Sequence, residues 1–169
     1  MARVLDSVQA LAITLWVGVM WTSGLLVAPA LFRMLPDRTL AGSIAGQLFE
    51  TTVLVGIACG ACILVIEYFQ RNARPYFRRP VVWLVVAMLI FALVGRYGIQ
   101  PVLAELRQQA QPQSVMQSEL GGRFAAWHAA AGVLYLVQCL LSAVLVISNH
   151  TNSAATSRRR IDQQCDIRP

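Results

Sequence analysis

The stretch from Phe124 to Ser148, FAAWHAAAGVLYLVQCLLSAVLVIS, decides the class of this chain. At 1.5 Å per residue it extends about 37 Å as a helix, enough to cross a hydrocarbon core roughly 30 Å thick. Three further runs are long and apolar enough to do the same: Val8 to Phe32, Leu48 to Phe69, and Val81 to Gln100. The whole composition agrees, with 57% hydrophobic residues, 13% charged and a mean hydropathy of +0.58 over 169 residues. Soluble domains carry about twice that share of charge. The expected fold is all-α, an integral membrane four-helix bundle with spans at about 8–32, 48–69, 81–100 and 124–148 in one domain, 1–149.

The first run also carries marks of a signal peptide, since Arg3 precedes it and Ala28-Pro29-Ala30 has the small-residue pattern of a cleavage site. Its apolar stretch exceeds the roughly 7 to 15 residues of a signal core, and Trp16 and Trp21 suit a retained helix, so it reads as a span.

All fourteen basic residues are arginine. Arg3, Arg71, Arg74, Arg78, Arg79, Arg158, Arg159, Arg160 and Arg168 would lie on one side of a four-span chain, and the positive-inside rule makes that side cytoplasmic, with both termini in. The expected location is a bacterial inner membrane. The net charge of +6 and pI of about 9.8 are accounted for by topology and anionic headgroups, so no nucleic-acid partner is expected and lipid is. From His150 to Pro169 the chain turns polar, which predicts a disordered cytoplasmic tail.

Between the spans, Pro36-Asp37 predicts a helix start, with Leu40, Ala41, Ile44 and Leu48 at helical spacing along the interface. Pro101 to Ala110 continues the third helix, Ser114 and Gln117 have capping-box spacing, and Gly121-Gly122 leads into the fourth.

Small residues indicate where helices approach one another in lipid, because packing rather than exclusion from water drives their association. Gly56 and Gly60 form such a pair, and Glu67 falls on the same face, where a bond to Arg71 would neutralise it. On the fourth helix His128, Gly132, Tyr135, Cys139 and Ser142 share a narrow arc expected to face inward. Pro29 frees a backbone carbonyl near the end of the first span.

Arg33, Glu50, Arg96, Arg123 and His128 fall at one end of the four spans, opposite the arginine-rich side. Three cations around one carboxylate leave positive charge that suits an anionic or polar small ligand, which guanidinium groups hold through their planar fork. The competing expectation is that Glu50 and Arg96 pair while Arg33 and Arg123 snorkel to the interface. His128 is also a haem or metal candidate, with Cys139 as a further ligand. The pair Cys59 and Cys62 lies mid-helix and reads as apolar packing, since a thiolate is disfavoured in hydrocarbon. No nucleophile, base and orienting group recur at usable spacing, so enzymatic chemistry is not expected.

Leu15-Trp16-Val17-Gly18 with Gly24, then Ala28-Pro29-Ala30-Leu31-Phe32, Ala41-Gly42, Gly46 and Phe49, resembles the four-helix membrane family of unknown function, domain of unknown function 4149, related to eukaryotic transmembrane protein 205. The resemblance continues at Arg123, Trp127-His128 and Leu134-Tyr135. It implies the four-helix fold and inner-membrane placement without implying a reaction. A hydroxyl residue often follows the histidine by one turn in that family, whereas this chain has Ala131. Three function classes follow: a binding or transport subunit acting as a homodimer or with a partner chain, a haem- or copper-handling protein, and a structural membrane subunit.

Overall fold

A computed structural model describes residues 2–69, 80–110 and 115–166, with side chains over 4–69, 80–110 and 115–149 apart from Gln117. Among the described residues every regular element is helical. Helix α1 (Ala2–Trp21) runs through a π-helical segment, Thr22–Val27, into α2 (Ala28–Met34). Helix α3 spans Arg38–Phe69, and α4 (Pro80–Leu93) runs through a second π-helical segment, Val94–Ile99, into α5 (Gln100–Gln109). A short 3-10 turn, Val115–Gln117, precedes α6 (Gly121–Asp166). Four stretches are long and apolar enough to cross a membrane: Val4–Met34, Arg38–Phe69, Pro80–Gln109 and Gly121–Asn149.

Each span is longer than hydropathy predicts, for local reasons. The first ends because Pro36 drives Leu35 into extended geometry, φ −96° and ψ 123°, after the Leu35 N–H has bonded Leu31 O at 3.0 Å. Asp37 then caps α3: its Oδ1 accepts from the N–H of Thr39 at 2.8 Å and of Leu40 at 3.3 Å, satisfying two donors that a helix start leaves free. Residues 38–48 therefore belong to one continuous helix with the second span, not to a separate interfacial segment. At the start of α6 the Ser118 hydroxyl accepts from Leu120 N–H at 3.3 Å, and a Cβ on Gly121 would stand 2.9 Å from Met116 O, so the turn needs glycine there. The expected Ser114 cap lies outside the described residues. Helix α6 continues to Asp166, where polar composition predicts a disordered tail; with no proline or glycine between Val133 and Arg168, nothing local stops a helix already nucleated in the span.

The spans form a closed ring in chain order: α1 packs on α3, α3 on α4, α4 on α6, and α6 on α1. We call the end holding the α2–α3 turn distal and the end holding Val4 and Asn149 terminal. The main core lies between the middle and the terminal end, built from Ile13, Trp16 and Met20 on α1, Cys59 and Ile63 on α3, Val85 and Met88 on α4, and Leu145 on α6. Gly56 and Gly60 serve this packing directly: a Cβ would stand 2.5 Å from Trp16 Nε1 at the first and 2.8 Å from Leu89 Cδ2 at the second. A smaller distal cluster joins Ile99, Leu103 and Leu106 to Phe124. Outward-facing Leu11, Leu15, Leu54, Trp83, Ile90, Leu140 and Ile147 are exposed, as a lipid-facing surface requires.

Candidate functional site

Both π segments precede a proline by the same interval. The Ala28 N–H bonds Ser23 O and the Gln100 N–H bonds Gly95 O, five residues back in each case, and Pro29 and Pro101 follow immediately. Proline supplies no N–H, so the turn before it lacks a donor and relaxes into the wider helix. The two segments sit on α1–α2 and α4–α5, diagonal members of the ring, at comparable heights.

Between them is a cavity of about 320 Å³. On α3 its wall runs from Gly42 to Gly56, roughly 20 Å of helix at 1.5 Å per residue, so it is a slot along the bundle rather than a chamber. Phe32, Glu50, Arg107 and His128 are exposed at the distal end of that slot, whereas Trp16, Met20 and Gly56 are buried at its inner end. It therefore opens distally and closes near the middle of the bundle.

The polar residues around the mouth come from three spans. Arg96 Nη1 lies 3.6 Å from Glu50 Oε1, an ion pair too long for a hydrogen bond. That nitrogen is buried and has no hydrogen-bond partner, while the Glu50 side chain remains 55% exposed. With α4 starting at Pro80, Arg96 sits about 24 Å along its span, within hydrocarbon depth, where a guanidinium needs an acceptor. One face of α5 continues the lining with Gln100, Leu103 and Arg107. The Arg107 guanidinium lies 5.3 Å from the centre of the Phe124 ring, and that ring stacks on His128 at 5.9 Å with 9° between planes. Phe124 thus ties α5 to α6 across the mouth.

Deeper in the bundle, polar groups are consumed by the fold. Tyr135 Oη donates to Met20 O at the entry to the first π segment, and Gly24 leaves room for the ring, which a Cβ there would strike. Gln138 Nε2 donates to Met88 O at 2.9 Å, and Thr52 Oγ1 is within 3.0 Å of Ser23 Oγ. Ser142 accepts from Trp21 Nε1 at 2.9 Å. The arc expected to face inward on the fourth helix does so at Tyr135, Cys139 and Ser142, each contact of this kind being worth about 0.6 kcal/mol in lipid.

Of the five residues the sequence groups as a site, the fold brings Glu50, Arg96 and His128 to the cavity. Arg33 and Arg123 are exposed and lie outside its wall while Glu50 and Arg96 are ion-paired, which is the arrangement of the competing expectation. Gln100, Arg107 and Gln138 were not singled out. Arg96, Gln100, Leu103 and Arg107 stand at i, i+4, i+7 and i+11, so one-face spacing along the third helix and its continuation to Ala110 was a signal for Gln100 and Arg107. Among the described residues no group of three or more His, Cys, Asp or Glu is arranged to hold a metal, so His128 and Cys139 are not assembled into a ligand set. Cys59 and Cys139 belong instead to the apolar core. Glu67 is buried, as its shared face with Gly56 and Gly60 predicts, and accepts from Gln9 Nε2 at 2.8 Å; Arg71 lies outside the described residues.

Fold and lining together define a multi-pass, four-helix membrane protein with a slot open at one end. The chain belongs to the family described as a domain of unknown function (DUF4149), whose model matches residues 11–112, more than half of its length. The matched residues include Glu50, Arg96 and Arg107; α6, with His128 and Tyr135, lies beyond them. No curated protein and no solved structure matches the chain.

Proposed function

We propose that this protein binds, and in an assembly transports, a small ligand carrying an anionic or strongly accepting group at the Arg96 end of the slot. The observation that carries the reading is the buried Arg96 Nη1 with no hydrogen-bond partner, 3.6 Å from a carboxylate that is itself half exposed. A buried charged donor held only by a long ion pair lacks a charge-assisted hydrogen bond worth about 1.5–3 kcal/mol, and an incoming anion supplies it. Arg107 and His128 line the same cavity and leave Glu50 outnumbered by donors. Four spans are few for a transporter working alone, so transport calls for a second copy or a partner chain.

The arginine distribution supports an orientation with both termini cytoplasmic, which puts the slot's mouth on the opposite face of a bacterial inner membrane. The Trp127-His128 and Leu134-Tyr135 resemblance supports kinship with the transmembrane protein 205 group. Native mass spectrometry of protein released gently from detergent tests the binding reading. A stoichiometric adduct on the wild type that is lost in Arg96→Leu, with the bundle still folded, is the expected result. An adduct retained in Arg96→Leu, or a bare wild-type chain, overturns it.

A further inference from the structure

The slot changes character along its length, and that change selects the ligand. At the distal level it is bordered by Glu50, Arg96, Gln100, Arg107 and His128. Toward the middle its wall is formed by Trp16, Met20, Gly56, Phe91 and Ala92. The polar groups at the deeper level are spent within the protein, Tyr135 on Met20 O, Gln138 on Met88 O and Thr52 on Leu48 O. A hydrated ion gains no partner by travelling that far, and loses water in doing so. An apolar chain gains close contact on all sides.

Resting on the reading that Arg96 receives an anionic group, we propose that the ligand is a single-chain anionic amphiphile. Its carboxylate or phosphate head sits between Arg96 and Arg107, and its chain extends down the slot to Trp16. Size and shape support this. At about 320 Å³ the cavity is near the lower limit of small-molecule pockets, which run from about 300 to 1,000 Å³, and this favours one chain inside it over two. The same volume drawn out along roughly 20 Å of α3, about 9 Å of it between Glu50 and Gly56, suits one chain with its head on the Arg107 side of Arg96 rather than a rounded molecule. Two lining glycines, Gly46 and Gly132, meet no atom within 4 Å where a Cβ would stand, so the helices leave open space alongside the slot.

Trp16 at the closed end makes the proposal measurable. The full chain is placed in nanodiscs of phosphatidylcholine and titrated with dodecanoate brominated at its terminal carbon, with tryptophan fluorescence recorded. A chain end delivered to the slot floor quenches Trp16 saturably, and Trp16→Phe removes the saturable component. Arg96→Gln and Gly132→Leu each weaken the saturable phase by at least about tenfold, the first by removing a charge-assisted bond and the second by filling the channel. Elution volume and unfolding midpoint establish that both variants are folded. Quenching that rises linearly, equally in wild type and Arg96→Gln, reports partition into lipid and overturns the amphiphile. If inorganic phosphate binds in an Arg96-dependent way while bromododecanoate does not, the amphiphile falls and the anion site stands. If neither binds, both fall.

Discussion

Among the polar pairs of the described residues, two that lie near opposite ends of the bundle, Gln9 with Glu67 and Arg96 with Glu50, are built to opposite standards. At the terminal end Gln9 Nε2 meets Glu67 Oε1 at 2.8 Å, with both residues buried. At the distal end Arg96 Nη1 stands 3.6 Å from Glu50 Oε1, with one nitrogen unsatisfied and the carboxylate half in the open. The surrounding packing follows the same division. Around the first lie well-filled contacts from Ile13, Ile63, Ile66 and Val81; around the second lie a slot, two π segments and glycines with open space beside them. A polar pair that stabilises a bundle is closed and satisfied, whereas one that receives a ligand is left incomplete until the ligand arrives.

The contrast can be broken first at its packed side. Gly56→Leu forces a side chain into the space of Trp16 Nε1, where a Cβ alone would stand at 2.5 Å. The expected loss is about 3 kcal/mol, at the upper end of overpacking costs, seen as a lowered thermal unfolding midpoint and early aggregation on size-exclusion chromatography. An unchanged midpoint would mean that α1 and α3 are not held this close.

A smaller loss is expected from Gln9→Leu, which removes the amide that bonds the buried Glu67 carboxylate. About 1–3 kcal/mol should disappear, with Gln9→Asn recovering little because its amide is one carbon shorter. Chemical denaturation in mixed micelles would read this directly, and equal stability of Gln9→Leu and wild type would remove the distinction between the two pairs.

Smallest in stability, and sharpest as a comparison, is Glu50→Gln. Its pairing is long and half exposed, so its loss should change stability by about 0.5 kcal/mol or less, while binding of an anion at Arg96 tightens because the competing carboxylate charge is gone. A destabilisation as large as that of Gln9→Leu would show the distal pair to be a structural brace.

Much of this organisation was legible along the chain, because it depends on local chemistry. The Asp37 helix start follows from its side chain bonding the first free N–H groups, and the Gly56 and Gly60 face follows from their spacing of four. The inward arc through Tyr135 and Ser142 is likewise a matter of helical period. Arg107 and Gln100 escaped although the third helix was expected to continue from Pro101 to Ala110, because the site was sought among charges at the ends of the spans and not along the face that continues past the proline. A π segment adds a residue to one turn and so rotates everything beyond it by about 100° relative to a plain helix, which misaligns a face carried from residues before Val94 to residues beyond Ile99. Arg33 and Arg123 were grouped with the site by height, yet two long side chains at a helix end can turn away from it.

By itself, then, the sequence determined that the chain is helical, that it has four stretches able to cross a membrane, and where caps and close approaches fall. These depend on hydropathy, on proline and glycine, and on spacing within a single element. Which of the arginines faces a common cavity, that Tyr135 reaches back to the carbonyl of Met20, and that a slot closes at Trp16 were decided only by the tertiary structure. Those outcomes depend on the rotation of each helix about its own axis and on how two π turns displace it. For helices apolar on nearly every side, that rotation is set by neighbouring helices rather than by a hydrophobic face of their own.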